Sequence, residues 1–264
     1  MLRRTVELLS RNVVLRRRLP TEFGGGRMYI SPAARLKYWK PNIYVQERFL
    51  FDIARLLIQP GDVVWDAGAN NGVFSVAAAG VAGPQGEVLA FEADTWLANL
   101  IRRTALILPS SYAPIDVLNV AVCDQLGLAE FAIAARSRAA NFLVQAGGSS
   151  QSGGIRNTYR VLTIGLDTML DLAPAPRVIK IDIEGAELMA FRGATKLLNQ
   201  IRPRIVCEVD EKNAEPLAQQ FTAANYLMFD AEHLEQHPQR ISLPTLNTLF
   251  LPADDPLVPQ IEKA

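Results

Sequence analysis

Histidine and cysteine are nearly missing from this sequence, with two of each among 264 residues. Cys123 and Cys207 each lie inside an apolar run, while His233 and His237 share a polar connector with no cysteine nearby. Neither a disulfide framework nor a zinc site of thiolates and imidazoles can be built from that pattern. A charge excess of either sign is also missing, because 27 basic residues balance 27 acidic ones. No global field therefore draws the chain to nucleic acid or to an anionic membrane, and polyanionic partners lose support. No apolar stretch approaches the roughly 18 residues of a membrane span. The arginine-studded N-terminus also lacks the uninterrupted apolar core of a signal peptide. A reduced, cytoplasmic setting is the expectation.

The balance is broken in one place. Arg3, Arg4, Arg11, Arg16, Arg17 and Arg18 stand among Leu2, Val6, Leu9, Val13 and Val14 in roughly helical register. Such a segment is either a solvated helix covering the main domain or an arm for a membrane surface or nucleic acid.

What is abundant is apolar: 49% of the residues are hydrophobic, enough for a large core. Residues 1–45, punctuated by Gly24-Gly25-Gly26 and by Pro20, Pro32 and Pro41, read as an irregular N-terminal extension or lid. One catalytic domain is expected over 46–264. It opens with a helix at 47–57 that stops at Pro60-Gly61, followed by a strand at 63–65, a helix of small residues at 73–81 and a strand at 88–91. This βαβ alternation predicts a doubly wound α/β fold with a parallel sheet. A helix at 96–108 and strands at 117–122 and 128–133 continue the pattern. Residues 135–160, with the run Gly147-Gly148-Ser149-Ser150-Gln151-Ser152-Gly153-Gly154, read as a long mobile loop. A turn and short helix at 163–170, a buried strand at 178–181, a helix at 187–199 and a strand at 204–209 follow. The pattern closes with a helix at 215–224 and strands at 226–229 and 248–251.

The first strand ends at Asp66 and turns through Gly68, Asn70 and Gly72 into a helix. A turn of this kind lets backbone approach a ligand closely and aims free helix N–H groups at an anionic group. The second strand ends in Glu92, where a carboxylate can accept both hydroxyls of a ribose, so an adenine nucleoside is implied. Both dinucleotides and S-adenosylmethionine contain one. A dinucleotide turn reads G-x-G-x-x-G, but here Asn70 stands where the second glycine belongs, which weakens the case for a pyrophosphate. Asp66 also suits a cationic amino-acid group better than a diphosphate, since a buried carboxylate wants a positive partner.

Five segments then match a known family: Asp66-Ala67-Gly68-Ala69-Asn70-Asn71-Gly72, Phe91-Glu92, Asn119-Val120-Ala121-Val122, Val161-Leu162-Thr163-Ile164-Gly165-Leu166-Asp167 and Ile179-Lys180-Ile181-Asp182-Ile183-Glu184-Gly185-Ala186-Glu187. Over about residues 45–252 the chain resembles the FkbM family of methyltransferases, most specifically in the last segment. The resemblance implies a Rossmann-like class I methyltransferase fold, a mostly parallel seven-stranded sheet with an antiparallel last strand. It also implies S-adenosylmethionine across the first strand ends and transfer of methyl to oxygen, often on a sugar or polyketide hydroxyl. Asp66, Gly68, Asn70, Gly72 and Glu92 become the cofactor residues, with Asn119 at a position that contacts the adenine edge in this fold or serves as a structural strand end. One departure is Ala93, where the family commonly has proline after the ribose-binding glutamate.

Methylating an alcohol is helped by a base within hydrogen-bond reach. Asp182 follows an apolar strand and is the expected catalytic acid, with Glu208 at the end of the neighbouring strand. Glu208 could orient the acceptor or, with Asp182, complete a divalent-metal site of oxygen ligands, although no metal is expected. His233 and His237 read as surface residues, and Glu187 as a helix N-terminal acid. Lys180 stays open between pairing with an acid and solvating one face. Trp96, Asn141, Phe142 and Tyr159 are candidates for the acceptor pocket or for packing. The leading function is an O-methyltransferase for a sugar or small natural-product-like acceptor. RNA or protein methylation and a non-catalytic nucleoside-binding module remain as alternatives.

Overall fold

The apolar periods produce strands where whole runs are buried and helices where one stripe is. The computed structural model describes residues 2–148, 152–234 and 239–263. Its N-terminal part holds α1 (Leu2–Leu9), β1 (Leu15–Arg18), β2 (Arg27–Ile30), α2 (Ile43–Gln46) and α3 (Arg48–Leu57). The first βαβ units follow as β3 (Val63–Ala67), α4 (Val73–Ala82), β4 (Glu87–Phe91), α5 (Thr95–Ala105) and β5 (Ile115–Leu118). An inserted region contains β6 (Ala121–Cys123), β7 (Gly127–Ala134), β8 (Phe142–Leu143) and β9 (Ile155–Gly165). The chain then returns through α6 (Leu166–Met169), β10 (Val178–Ile181), α7 (Glu187–Arg192), β11 (Arg204–Glu208), α8 (Ala214–Ala223), β12 (Tyr226–Asp230), β13 (Asn247–Pro252) and α9 (Val258–Ile261).

Seven strands form one sheet in the order β12-β13-β11-β10-β3-β4-β5, and only β13 runs against the others. This is the sheet expected from the resemblance. Side-chain alternation divides the core between its two faces. Val64, Val88, Val178 and Val206 meet α3 and α4 on one face, and Trp65, Leu89, Ile179 and Cys207 meet α7 and α8 on the other. Chain order reverses beside β3, whose neighbours are β4 and β10, so a crevice opens at those strand ends.

Three parts of the sequence reading change. The stretch at 117–122 is not one strand: it splits after Leu118, and β6 leaves the main sheet for a second one ordered β6-β9-β7-β8. Much of the expected loop at 135–160 belongs to that sheet, because β9 begins at Ile155 and pairs antiparallel with β7. One face of β9 meets solvent, so its sequence mixes Arg156, Asn157 and Arg160 with apolar residues and reads as polar. Ser149, Ser150 and Gln151 lie outside the described residues. The helix expected at 187–199 breaks after Arg192, at Gly193, where the backbone packs too closely on the Asp124 carbonyl for a side chain, and resumes as a π-helical turn over Leu197–Ile201.

The N-terminal 45 residues are regular in part and contribute to the core. β1 and β2 pair antiparallel, and Phe23, Met28, Ile30 and Tyr38 are buried in the same cluster as α4. The Ser31 amide donates to Asn71 Oδ1 (3.0 Å), tying this segment to the glycine turn. No described helix is long and apolar enough to cross a membrane.

Candidate active site

The turn after β3 is held open by three residues with left-handed backbone: Gly68 (φ 77°), Asn70 (φ 55°) and Gly72 (φ 76°). Glycine adopts this conformation freely, and asparagine tolerates it better than most residues. At Gly68 the requirement is steric as well, since a Cβ would lie 1.8 Å from the Asp182 carbonyl oxygen. That glycine lets β3 and β10 converge beneath the turn, a packing need that the sequence reading had taken only as room for a ligand.

Glu92 locks the far side. Its two carboxylate oxygens accept the amides of Asn70 (2.6 Å) and Asp94 (2.7 Å). Burial, followed by the charge of Asp94, pushes its carboxyl up to about 8. Each oxygen keeps a further lone pair for a hydroxyl donor.

Glu92, Gly68 and Asn70 line an open cleft whose walls include Phe91, Val122, Phe131 and Leu143. Apolar walls beside polar groups, with a carboxylate at the rim, offer an adenine nucleoside both packing surface and acceptors. S-adenosylmethionine suits this donor set: Gly68 presents no side chain to it, and Glu92 offers acceptors to the sugar hydroxyls.

Three residues expected at the cofactor, Asp66, Gly72 and Asn119, do not line this cavity and have partners within the protein. Asp66 is fully buried, accepts from Ser75 Oγ on α4 (2.5 Å), and faces Lys180 Nζ through Oδ1 at 3.5 Å. Its position on β3 shares a face with Val64, so the side chain points into the α4 layer. Gly72 starts α4 against Ile101. Asn119 donates to the carbonyls of Glu92 (2.7 Å) and Ala93 (3.1 Å) and accepts from Thr95 Oγ1, which uses its amide to brace the β4 end.

A second cavity, about 940 Å³, lies across the turn and includes Arg35, Tyr38, Lys180, Asp182 and Glu208. A wide groove of about 2110 Å³ adjoins it, reaching Arg35, Arg136, Glu184, Glu208 and Asp210. The carboxylates of Asp182, Glu184 and Glu208 each bring an oxygen within 4.8 Å of the others, where these spaces meet. Asp182 and then burial push Glu208 up to about 7; burial and then Asp182 push Glu184 up to about 8. Such a trio also has the oxygen donors a hard divalent ion takes. Positive charge is already present there: burial disfavours the Arg35 guanidinium, but Asp182 and Glu208 help hold it above its ordinary value.

Asp182 and Glu208, the two acids expected from the sequence, thus lie near each other, and Arg35, Lys180 and Glu184, which the sequence did not assign to the site, lie beside them. Lys180 left a signal as the one charged residue in an otherwise apolar strand. Arg35 left none, because only tertiary packing carries it to the acids. Glu187 is structural, accepting from the Gly185 amide and Asn213 Nδ2. Of the four pocket candidates, Asn141 lines the cofactor cavity and bonds Asp94, and Trp96 lies under the Arg138 guanidinium. Tyr159 packs edge-on against Phe131, and Phe142 sits on β8 in the second sheet. His233 contacts Asp230 (3.0 Å) at the surface, and His237 lies outside the described residues.

A seven-stranded sheet with one antiparallel strand and a cleft at its switch point define a Rossmann-like, class I methyltransferase fold. The family model described as "Methyltransferase FkbM domain" matches residues 66–236, more than half of the sequence, and the chain belongs to that family. Among solved structures, an FkbM methyltransferase from Methylobacillus flagellatus is 14% identical, with a TM-score of 0.46 over 76% of this chain and 50% of that one. This chain thus spans half the length of that protein. A precorrin-6y C5,15-methyltransferase from Geobacter metallireducens is 12% identical (TM-score 0.44; 77% and 86% covered). A SAM-dependent O-methyltransferase from Thermotoga maritima is also 12% identical (TM-score 0.38; 77% and 64% covered). No curated protein matches the chain.

Proposed function

We infer that the chain methylates a hydroxyl group on a sugar or another small polyhydroxylated acceptor. The observation that carries this reading is the trio Asp182, Glu184 and Glu208 at the junction of the cofactor cavity with the wide groove. An alcohol is a poor nucleophile until its proton leaves, and a carboxylate within reach contributes typically about 10²- to 10⁴-fold. Carboxyls raised to about 7 and 8 are matched to that task near neutral pH.

S-adenosylmethionine supplies an electrophilic methyl group on a sulfonium. Gly68, Asn70 and Glu92 hold its nucleoside end, with Asp66, Gly72 and Asn119 bracing the turn behind them. Glu208, held beside Asp182, takes the hydroxyl proton as oxygen bonds to the methyl carbon and the carbon–sulfur bond breaks to release S-adenosylhomocysteine, and Glu184 holds a second hydrogen bond to the acceptor. Pro32, Leu36 and Lys37 line the groove on the acceptor side, with Arg35 offsetting the charge of the acids. Holding the acceptor oxygen in attacking geometry supplies the larger share, about 7–11 kcal/mol in well-oriented systems.

The test is a panel of sugars and small hydroxylated compounds incubated with S-adenosylmethionine, with S-adenosylhomocysteine and methyl ethers read by mass spectrometry. Products methylated only on nitrogen or on a carboxylate would overturn the oxygen assignment. A second reading, methylation of RNA or protein, is favoured by Arg16, Arg18 and Arg27, exposed on one face of the β1–β2 ribbon beside Tyr29. Turnover on RNA or protein that is lost in Arg16→Glu/Arg18→Glu would support it. S-adenosylhomocysteine formation with any acceptor rules out the non-catalytic alternative.

A further inference from the structure

Lys180 occupies a position in β10 where its neighbours Val178, Ile179 and Ile181 are all fully buried. A lysine there loses its hydration, a cost that only well-placed anions offset. Three acceptors surround its ammonium: Asp182 Oδ2 at 3.4 Å, Asp66 Oδ1 at 3.5 Å and the Gly68 carbonyl at 3.3 Å. The arrangement follows from register, because Lys180 lies directly opposite Asp66 on β3, and Asp182 is two residues further along on the same face. Packing alone would call for an aliphatic residue here. One ammonium instead joins the floor of the cofactor turn to the acid facing the acceptor groove.

We propose that Lys180 is a positioning residue for methyl transfer, tying Asp182 to Asp66 and the Gly68 carbonyl so that the acid keeps a fixed place beside the cofactor turn. This role rests on the reading of Glu208, held beside Asp182, as the proton acceptor. It has an electrostatic consequence. Facing Glu208 are Lys180 from β10, Asp182 just past its end, Arg35 from the N-terminal segment and Glu187 from α7, with Glu184 close by. Lys180 is the buried cation of this group, and its ammonium is itself held up: burial lowers it, but Asp182 and Asp66 more than compensate. Without it the acids hold their protons to higher pH.

The test uses the full chain with Lys180→Met, Lys180→Arg and the double variant Asp66→Asn/Lys180→Met, which removes both members of the cross-strand pair if the single variant folds poorly. Carboxyl titrations are followed by ¹³C NMR, affinity for S-adenosylmethionine by calorimetry, and turnover on the acceptor identified above. In Lys180→Met the Glu208 midpoint is expected to rise by about one pH unit or more. The acidic limb of kcat should move with it, kcat at pH 7 should fall by roughly 5-fold or more as the ionised fraction drops, and cofactor affinity should change only a few-fold. Lys180→Arg should return the midpoint toward wild type. The double variant should fold stably but keep the raised limb.

An unmoved Glu208 midpoint in Lys180→Met, or full recovery of kcat in the double variant, would overturn the proposal and leave Lys180 as a packing residue. Asp182→Asn separates this failure from failure of the underlying reading. If Asp182→Asn retains full kcat and an unchanged pH profile, the proton-acceptor assignment itself is wrong.

Discussion

Replacing Gly68 with alanine should destabilise the chain far more than the same change at Gly61, although both glycines have left-handed backbone (φ 77° and 88°). The conformational cost is shared, about 1–2 kcal/mol for an L-residue in that region. What differs is the surroundings. A Cβ on Gly61 would meet nothing within 4 Å, whereas on Gly68 it would lie 1.8 Å from the Asp182 carbonyl oxygen and 2.8 Å from its carbonyl carbon. Backbone cannot rotate away as a side chain does, so the overlap belongs at or above the top of the usual 1–3 kcal/mol for overpacking. Gly72 lies between, because its Cβ would touch the Ile101 side chain at 3.1 Å, which can shift. The expected losses are about 1 kcal/mol for Gly61→Ala, about 2 for Gly72→Ala and about 4–5 for Gly68→Ala. At roughly 2–4 °C per kcal/mol for a domain of this size, Gly68→Ala should lower Tm by about 8–20 °C against a few degrees for Gly61→Ala. Scanning calorimetry on the three variants measures the series directly. Equal Tm losses at Gly61 and Gly68 would refute the steric argument and leave only the shared backbone term.

Glu208→Gln should cut kcat by about 10² while leaving S-adenosylmethionine affinity unchanged, and the acidic limb near pH 7 should disappear from the rate profile; a variant as active as wild type would assign the proton elsewhere. Glu92, raised from 4.5 to about 8, binds more protons folded than unfolded across that interval. Its contribution is therefore present below about pH 4.5 and is lost as pH rises through about 8, by at most about 5 kcal/mol. Denaturant titrations from pH 5 to 8 should show this decline, and Glu92→Gln should flatten it. If ribose hydroxyls bond its ionised form, cofactor binding near pH 7 should release a proton, visible as a buffer-dependent calorimetric enthalpy. EDTA should leave turnover unchanged, because Lys180 and Arg35 already stand against Asp182; loss restored by magnesium or manganese would make the trio a metal site.

Periodicity in the sequence was enough to determine the alternating α/β frame and the turn from Asp66 to Gly72, because burial of short apolar runs and the left-handed tolerance of glycine are local properties; the seven-stranded sheet with its antiparallel member came from the family resemblance. Glu92 and Asp182 were legible for a related reason, since strand ends at a parallel sheet's carboxyl edge fall where strands stop. The second sheet was not legible. β9 exposes one face, and its polar residues hide a strand that only pairing with β7 reveals. The residues around the acids depended still more on tertiary structure. Asp66 reads as a cofactor ligand until the β3–β10 register sets it opposite Lys180, and Asn119 until its amide is seen spent on the Glu92 and Ala93 carbonyls. Arg35 comes from a segment whose glycines and prolines suggested only irregular chain. Charge placement between distant segments depends on register and packing that no local pattern encodes, so the sequence determined where the site lies and the tertiary structure decided which charges meet there.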